Sequence, residues 1–154
     1  MPSTPAGLHY APHGARIAAY LIDIFIMLPV ALIVENIFGS AQLHTAFINI
    51  AIAATYYGGF VQSEWCATPG KRIMNLVVLT PDGRRLGWRD ALARYFAVLL
   101  PGLPANLSII PLELAFIIII WLCIAWYGLI LITEQRTAIH DLLCNTRVFE
   151  GRAI

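Results

Sequence analysis

Charge is what this sequence has least of. Asp, Glu, Lys and Arg make up 12% of its 154 residues, against about 25% in an ordinary soluble domain. With 59% hydrophobic residues and a mean hydropathy of +0.73, there is too little polar surface to coat a water-soluble globule. A net charge of +1 supplies no global field to draw in nucleic acid. Three cysteines, Cys66, Cys123 and Cys144, form no C-x-x-C pair and no even framework, which excludes a disulfide scaffold and leaves structural thiols. No nucleophile and base stand at a spacing that suggests catalysis, so neither an enzyme nor a bound cofactor is expected. The apolar content excludes a disordered or collagen-like chain, and the length fits one domain.

What is present is a set of long apolar runs. Residues 114–133 contain no charge over twenty positions, the length needed to cross about 30 Å of hydrocarbon. Residues 17–34 form a second run, with Asp23 its one ionised member and Pro29 a local kink. Residues 43–62 carry no charge, and residues 91–107 are apolar apart from Arg94. This last run, with Pro101 and Pro104, is either a short crossing or a re-entrant segment.

The placement of basic residues decides between these. All ten Lys and Arg lie at Arg16, within 71–94, or at Arg136, Arg147 and Arg152, and the connections 35–42 and 102–113 have none. The positive-inside rule puts every basic cluster in the cytoplasm, which requires four crossings. The expected fold is an all-α, multi-pass integral membrane protein with helices at about 16–37, 43–63, 90–107 and 112–133 and both termini cytoplasmic. A bacterial inner membrane is the expected location, and the lipid bilayer the first partner. A polar tail, 1–14, precedes the membrane domain, 15–149, and a short tail, 150–154, follows it. The polar start and the length of the first run argue against a cleaved signal peptide.

In the stretch after residues 43–62, the apolar residues 76–79 with β-branched Val77, Val78 and Thr80, the turn Pro81-Asp82-Gly83 and Arg84-Arg85-Leu86 predict a hairpin over about 72–87. Residues 146–149 are expected to add a third strand, preceded by a short surface helix over 134–143. Lys71, Arg72, Arg84 and Arg85 are expected to face lipid headgroups.

Asp23 is the residue that most needs a partner. A carboxylate deep in a membrane helix costs roughly 2.5 to 3.5 kcal/mol to insert and must meet a cation, a proton or a donor. Arg16 lies almost two turns away on the same helix, too far for an easy bond. Arg94 is the expected partner of Asp23, and Asp141 that of Arg16. This set of Arg16, Asp23, Arg94 and Asp141 serves either as a polar cluster that fixes helix order or as an ion-binding or proton-exchange site centred on Asp23. Thr68-Pro69-Gly70-Lys71-Arg72 resembles part of a phosphate loop, but the full G-x-x-x-x-G-K-[ST] pattern is absent, so a turn with basic residues is expected instead. His140-Asp141 has no second histidine at metal-ligand spacing. Ala51, Thr55 and Gly59, beside Ala54 and Gly58, permit close helix approach, within one chain or across a dimer.

Three segments carry a family resemblance. A-R-I-A-A-Y-L-I-D-I at 15–24, T-P-G-K-R-I-M-N-L-V-V at 68–78 followed by Asp82-Gly83, and Q-R-T-A-I-H-D-L-L-C-N-T-R-V at 135–148 together resemble the RDD family of membrane proteins, named for one arginine and two aspartates. The resemblance covers 15–149 and implies that Arg16, Asp23 and Asp141 are the signature trio. Pro69 and Cys144 depart from the aliphatic and small residues expected there. The family implies ligand transport, exchange of a monovalent cation for a proton, or assembly and scaffolding roles. An internal echo, Ala15-Arg16 against Ala93-Arg94, lacks a second aspartate because Pro101 stands in its place. Transport through Asp23, as an oligomer, is thus one expectation. A non-catalytic membrane adaptor or assembly factor bound to a partner protein is the other.

Overall fold

The computed structural model describes residues 8–39, 43–100 and 138–151, with isolated positions between 114 and 124. Helix α1, His13–Phe38, follows directly on strand β1, His9–Tyr10, and continues through Pro29. It stops at Gly39, whose φ of 86° lets its amide return to the Glu35 carbonyl at 2.9 Å. Helix α2, Leu43–Gln62, runs back along it, and the short helix α3, Pro69–Ile73, packs on α1. Strand β2, Leu76–Leu79, and helix α4, Trp88–Leu99, follow. Near the end of the chain come helix α5, Ile139–Leu143, and strand β3, Arg147–Glu150.

The three strands form one antiparallel sheet in the order β1-β3-β2, with Tyr10 opposite Phe149 and Val77 opposite Phe149 on the other side. Alternation along the strands sorts two apolar layers. Leu76, Val78 and Val148 point to the helices, meeting Ala11, Ala19, Val61, Leu86 and Ala91. Val77, Leu79 and Phe149 point the other way, against Cys66, Leu8 and Tyr10. Strand β2 is therefore buried on both faces, which explains why Leu-Val-Val-Leu is continuously apolar. Its outer edge is covered where the Val78 amide bonds the Cys66 carbonyl at 2.7 Å.

The expected hairpin forms its first strand and its turn but not its return strand. Thr80 and Arg84 close the turn, with Gly83 at φ 78°, yet 84–86 is not a strand because it feeds Leu86 into the core and leads into α4 at the N-cap Gly87. The neighbour of β2 is β3, and residues read as a polar tail supply β1. The short helix expected over 134–143 is present from Ile139; its first residues lie outside the described ones.

The expectation of a four-helix, multi-pass membrane protein is corrected. Among the described residues one helix, α1, is long and apolar enough to cross a membrane, with a mean hydropathy of 2.6 over its best window. Helix α2 has the length, but His44, Asn49, Tyr56, Tyr57, Gly58 and Gly59 dilute its apolar content. Helix α4 has 12 residues, about 18 Å at 1.5 Å per residue, well short of a bilayer. It is amphipathic, and buries Ala91, Arg94, Tyr95 and Ala97. The run 114–133 lies largely outside the described residues. A multi-pass location in a bacterial inner membrane, with both termini cytoplasmic, loses its basis with the four crossings.

Helix α1 is not a core helix, since only 17% of its most apolar window is buried. Its packed side is narrow: Ala19, Asp23 and Val34 are buried while Phe25, Leu32 and Ile37 are open. On α2, Gly58 lets α4 approach so closely that a Cβ would stand 3.0 Å from the Leu92 side chain, so Ala54 and Gly58 serve internal packing, whereas Ala51 and Thr55 are exposed and Gly59 has open space beside it. Phe149 is fully buried and stacks on Tyr10 with ring centroids 5.4 Å apart. Phe149→Ala should lower stability by about 3 to 5 kcal/mol, measured by thermal or denaturant unfolding in detergent.

Candidate functional site

The polar residues picked from the sequence gather in two adjoining clusters between α1 and the sheet. The first centres on Asp23, which is 1% exposed. Three neutral donors hold it: the Thr68 hydroxyl at 2.5 Å on Oδ2, and the Gly70 amide at 2.8 Å and the Tyr56 hydroxyl at 3.0 Å on Oδ1. Local chemistry builds this arrangement. Thr68 is the N-cap of α3 and accepts from the Lys71 amide at 3.4 Å, and Pro69 takes the first helical position, where its missing N–H is not needed. The departure at Pro69 is thus a helix-start residue. Gly70 is dictated by space, because a Cβ there would collide with the Ala19 carbonyl oxygen and lie 2.8 Å from Asp23 Cγ. The anion that the Thr-Pro-Gly-Lys segment binds is the chain's own carboxylate.

The second cluster centres on Asp141, which is fully buried in the first turn of α5. Its Oδ2 accepts from Arg16 Nη1 at 3.2 Å and from the Ala138 amide at 3.3 Å, and its Oδ1 accepts from Arg94. Arg94 also donates to the Thr146 hydroxyl, and Arg16 Nη2 donates to the Val148 carbonyl at 3.1 Å. The two arginines of the Ala-Arg echo therefore converge on one aspartate. Burial is the largest single influence on Asp141 and opposes its ionisation, but the groups around it, Arg94 foremost, together outweigh this and hold its carboxyl well below the usual carboxylate range. His140, also buried, approaches Asp141 at 3.5 Å. Desolvation, with Arg94 adding to it, pulls its pKa down to about 3, so the imidazole is neutral at physiological pH and the approach is not an ion pair.

The remaining basic residues separate by environment. Lys71 is half-buried between the clusters, and desolvation and Arg94 lower its pKa to about 8. Arg72 is exposed and lies 4.2 Å above the Trp65 ring. Arg84 pairs with Asp82 at 3.0 Å in full view of solvent, an interaction of little energetic consequence, and Arg85 is exposed beside it. Cys66 and Cys144 are free, and burial raises both thiols above their ordinary value, which makes them poor nucleophiles. Cys123 and Arg136 lie outside the described residues.

The structure brings Arg16 and Asp141 together as expected, but not Arg94 and Asp23. Arg94 is drawn to the C-terminal segment, where Thr146 completes its bonding, while Asp23 faces α3. Tyr56, Thr68, Gly70 and Thr146 were missed as partners. A Thr-Pro helix start was the available signal for two of them, since a helix N-terminus favours a carboxylate. Cation–proton exchange through Asp23 is corrected together with the multi-pass fold: both oxygens of this carboxylate are engaged by the fold itself, and the described residues contain one candidate span rather than a bundle.

Two outcomes follow. Gly70→Ala should destabilise the protein by about 1 to 3 kcal/mol or more, the range for a forced steric intrusion, read by unfolding in detergent. His140 has a folded pKa below its ordinary 6.5, so the unfolded chain takes up the proton first. Its contribution is complete above that value and is lost as pH falls towards 3, whereas Asp141 adds a loss only below the ordinary carboxylate range. From pH 7.5 to 5 stability should fall by about 2 kcal/mol, at about 1.4 kcal/mol per pH unit below 6.5. A His140→Asn protein should lack that slope in the same titration.

Residues 10–145 match the RDD family pattern, a stretch that contains Arg16, Asp23, Arg94 and Asp141. The chain is 31% identical over 109 residues to the uncharacterized protein YxaI of Bacillus subtilis (strain 168), covering 70% of this chain and 59% of that protein. It thus spans about three-fifths of the length of that relative. No solved structure matches it. The chain belongs to the RDD family.

Proposed function

We propose that this chain is a membrane-associated, non-enzymatic anchoring protein. Helix α1 engages the bilayer through its open apolar side, and the Arg/Asp clusters fasten the sheet, α3 and α5 to the start of that helix. One observation carries this: the two oxygens of the buried Asp141 carboxylate take arginines from α1 and α4, while its backbone belongs to the C-terminal segment. Three distant parts of the chain are thereby held at one point. Family membership supports the association with membranes. The exposure of Phe25 at 74% and Ile37 at 67% supports α1 as the contacting element, because apolar surface of this kind on a mostly unburied helix is stable in hydrocarbon.

The polar groups of both clusters bond one another, which suits an architectural role better than turnover of a substrate. Lys71, Arg72, Arg84 and Arg85 lie on the segments that follow α2 and are suited to an anionic headgroup layer. The open side of α1 offers a surface to a second copy of the chain or to another membrane protein.

Flotation with phospholipid vesicles, followed by an alkaline carbonate wash, tests the proposal. The protein should float and remain with the vesicles, and the double variant Phe25→Lys, Leu32→Lys should be released. Asp141→Asn should still float, yet unfold with a stability lowered by about 3 to 5 kcal/mol, as expected when one partner of a buried ion pair is removed. Complete release of the unaltered protein by carbonate overturns the anchoring role.

A further inference from the structure

The two clusters do not balance in charge. Arg16, Arg94 and Lys71 are cationic, Asp23 and Asp141 anionic, and His140 neutral at physiological pH. Asp141 is taken up by the two arginines and the Ala138 amide, and Asp23 by Tyr56, Thr68 and Gly70. The Lys71 ammonium makes no hydrogen bond or ion pair among the described residues. It is half-buried, on the same helix start that holds Asp23. An unmatched cation at the edge of a low-dielectric cluster gains most from an external anion.

Its height along α1 says which anion is at hand. Helix α3 packs on α1 at Ala19 and Asp23, where Gly70 lies against both. Counting back from Phe38 at 1.5 Å per residue, a hydrocarbon layer of about 30 Å ends close to residue 18. Ala19 and Asp23 lie about 2 to 8 Å inside that end, so Lys71 stands just below the boundary, where a long side chain extends to the level of the lipid phosphates. Its surroundings have the mixed character of that boundary: Trp65 is 39% exposed with Arg72 stacked over it, and Ile73 is 63% exposed.

We infer that Lys71, next in the chain to the Arg72 that stacks on Trp65, forms a site for the phosphate of an anionic phospholipid, filling the charge that the Arg/Asp clusters leave unmatched. The site is distinct from the general basic character of the loop, because Arg84 already pairs with Asp82. The inference rests on the anchoring role proposed above. Lys71 supplies a direct readout, since it is the sole lysine in the chain and its ammonium is already deprotonated in part near pH 8.

The experiment is the rate of amine labelling of Lys71 at pH 8, followed by mass spectrometry of its peptide, in detergent alone, with added phosphatidylglycerol, with added phosphatidylcholine and with inorganic phosphate. Phosphatidylglycerol should slow labelling at least fivefold and phosphatidylcholine should have little effect. Native mass spectrometry should show retained phosphatidylglycerol on the unaltered protein and on Arg84→Gln, and at least fivefold less on Lys71→Gln. Unfolding of Lys71→Gln at unchanged temperature establishes that the loss is not one of folding. Equal protection by both lipids overturns the site, as does protection by inorganic phosphate without protection by phosphatidylglycerol. Should the protein stay with vesicles after carbonate while phosphatidylglycerol leaves Lys71 unprotected, the site fails and the anchoring role stands. Release by carbonate is the failure of the anchoring role itself.

Discussion

A carboxylate withdrawn from water keeps its charge only if donors meet both oxygens, and at Asp141 those donors come from places far apart in the chain. Arg16 reaches it from the first turn of α1, Arg94 from the middle of α4, and the Ala138 amide from the residue that opens α5. Each arginine makes a second bond, to the Val148 carbonyl or the Thr146 hydroxyl, so the clamp also fixes the strand that follows α5. Strand β3 in turn is the middle of the sheet. The positions of β1, β2 and the two apolar layers thus depend on one buried ion triad.

The second aspartate solves a different problem. Asp23 carries its charge into the narrow packed side of α1, and α3 meets it with an amide and a capping hydroxyl rather than with a cation. That solution requires the two backbones to touch, which is why Gly70 stands where it does. It also leaves Lys71, the next residue, without a carboxylate of its own. Asp141 with its arginines and Asp23 with its neutral donors are in this chain two separate fastenings, one ionic and one built on a helix start, set side by side on the same helix.

Much of this was legible in the residues. The polar members of an apolar chain are few, so Arg16, Asp23, Arg94 and Asp141 stood out as residues in need of partners, and the pairing of Arg16 with Asp141 followed from what was left on other segments. Strands β2 and β3 were visible from their β-branched composition. The exchange of partners at Arg94 was not, because any buried arginine suits any buried carboxylate and distance alone chooses between them. Nor was the number of membrane helices. The apolar runs become a largely unburied helix in α1 and an amphipathic, inward-packed helix in α4, and periodicity over so short a segment does not separate the two.

The sequence by itself determined the scarcity of charge, the apolar character of α1, a chain reversal at Thr68-Pro69 and the strand content of the segments that follow it. Those are properties of local composition and of backbone preferences, which act within a few residues. Only the tertiary structure decided that His9 and Tyr10 join the sheet, that both arginines of the Ala-Arg echo bind Asp141, and that Asp23 is met by neutral donors. Long-range pairing of this kind is chosen by which groups are left unsatisfied once the apolar layers have closed. The few charged residues of this apolar chain are what select among those closures.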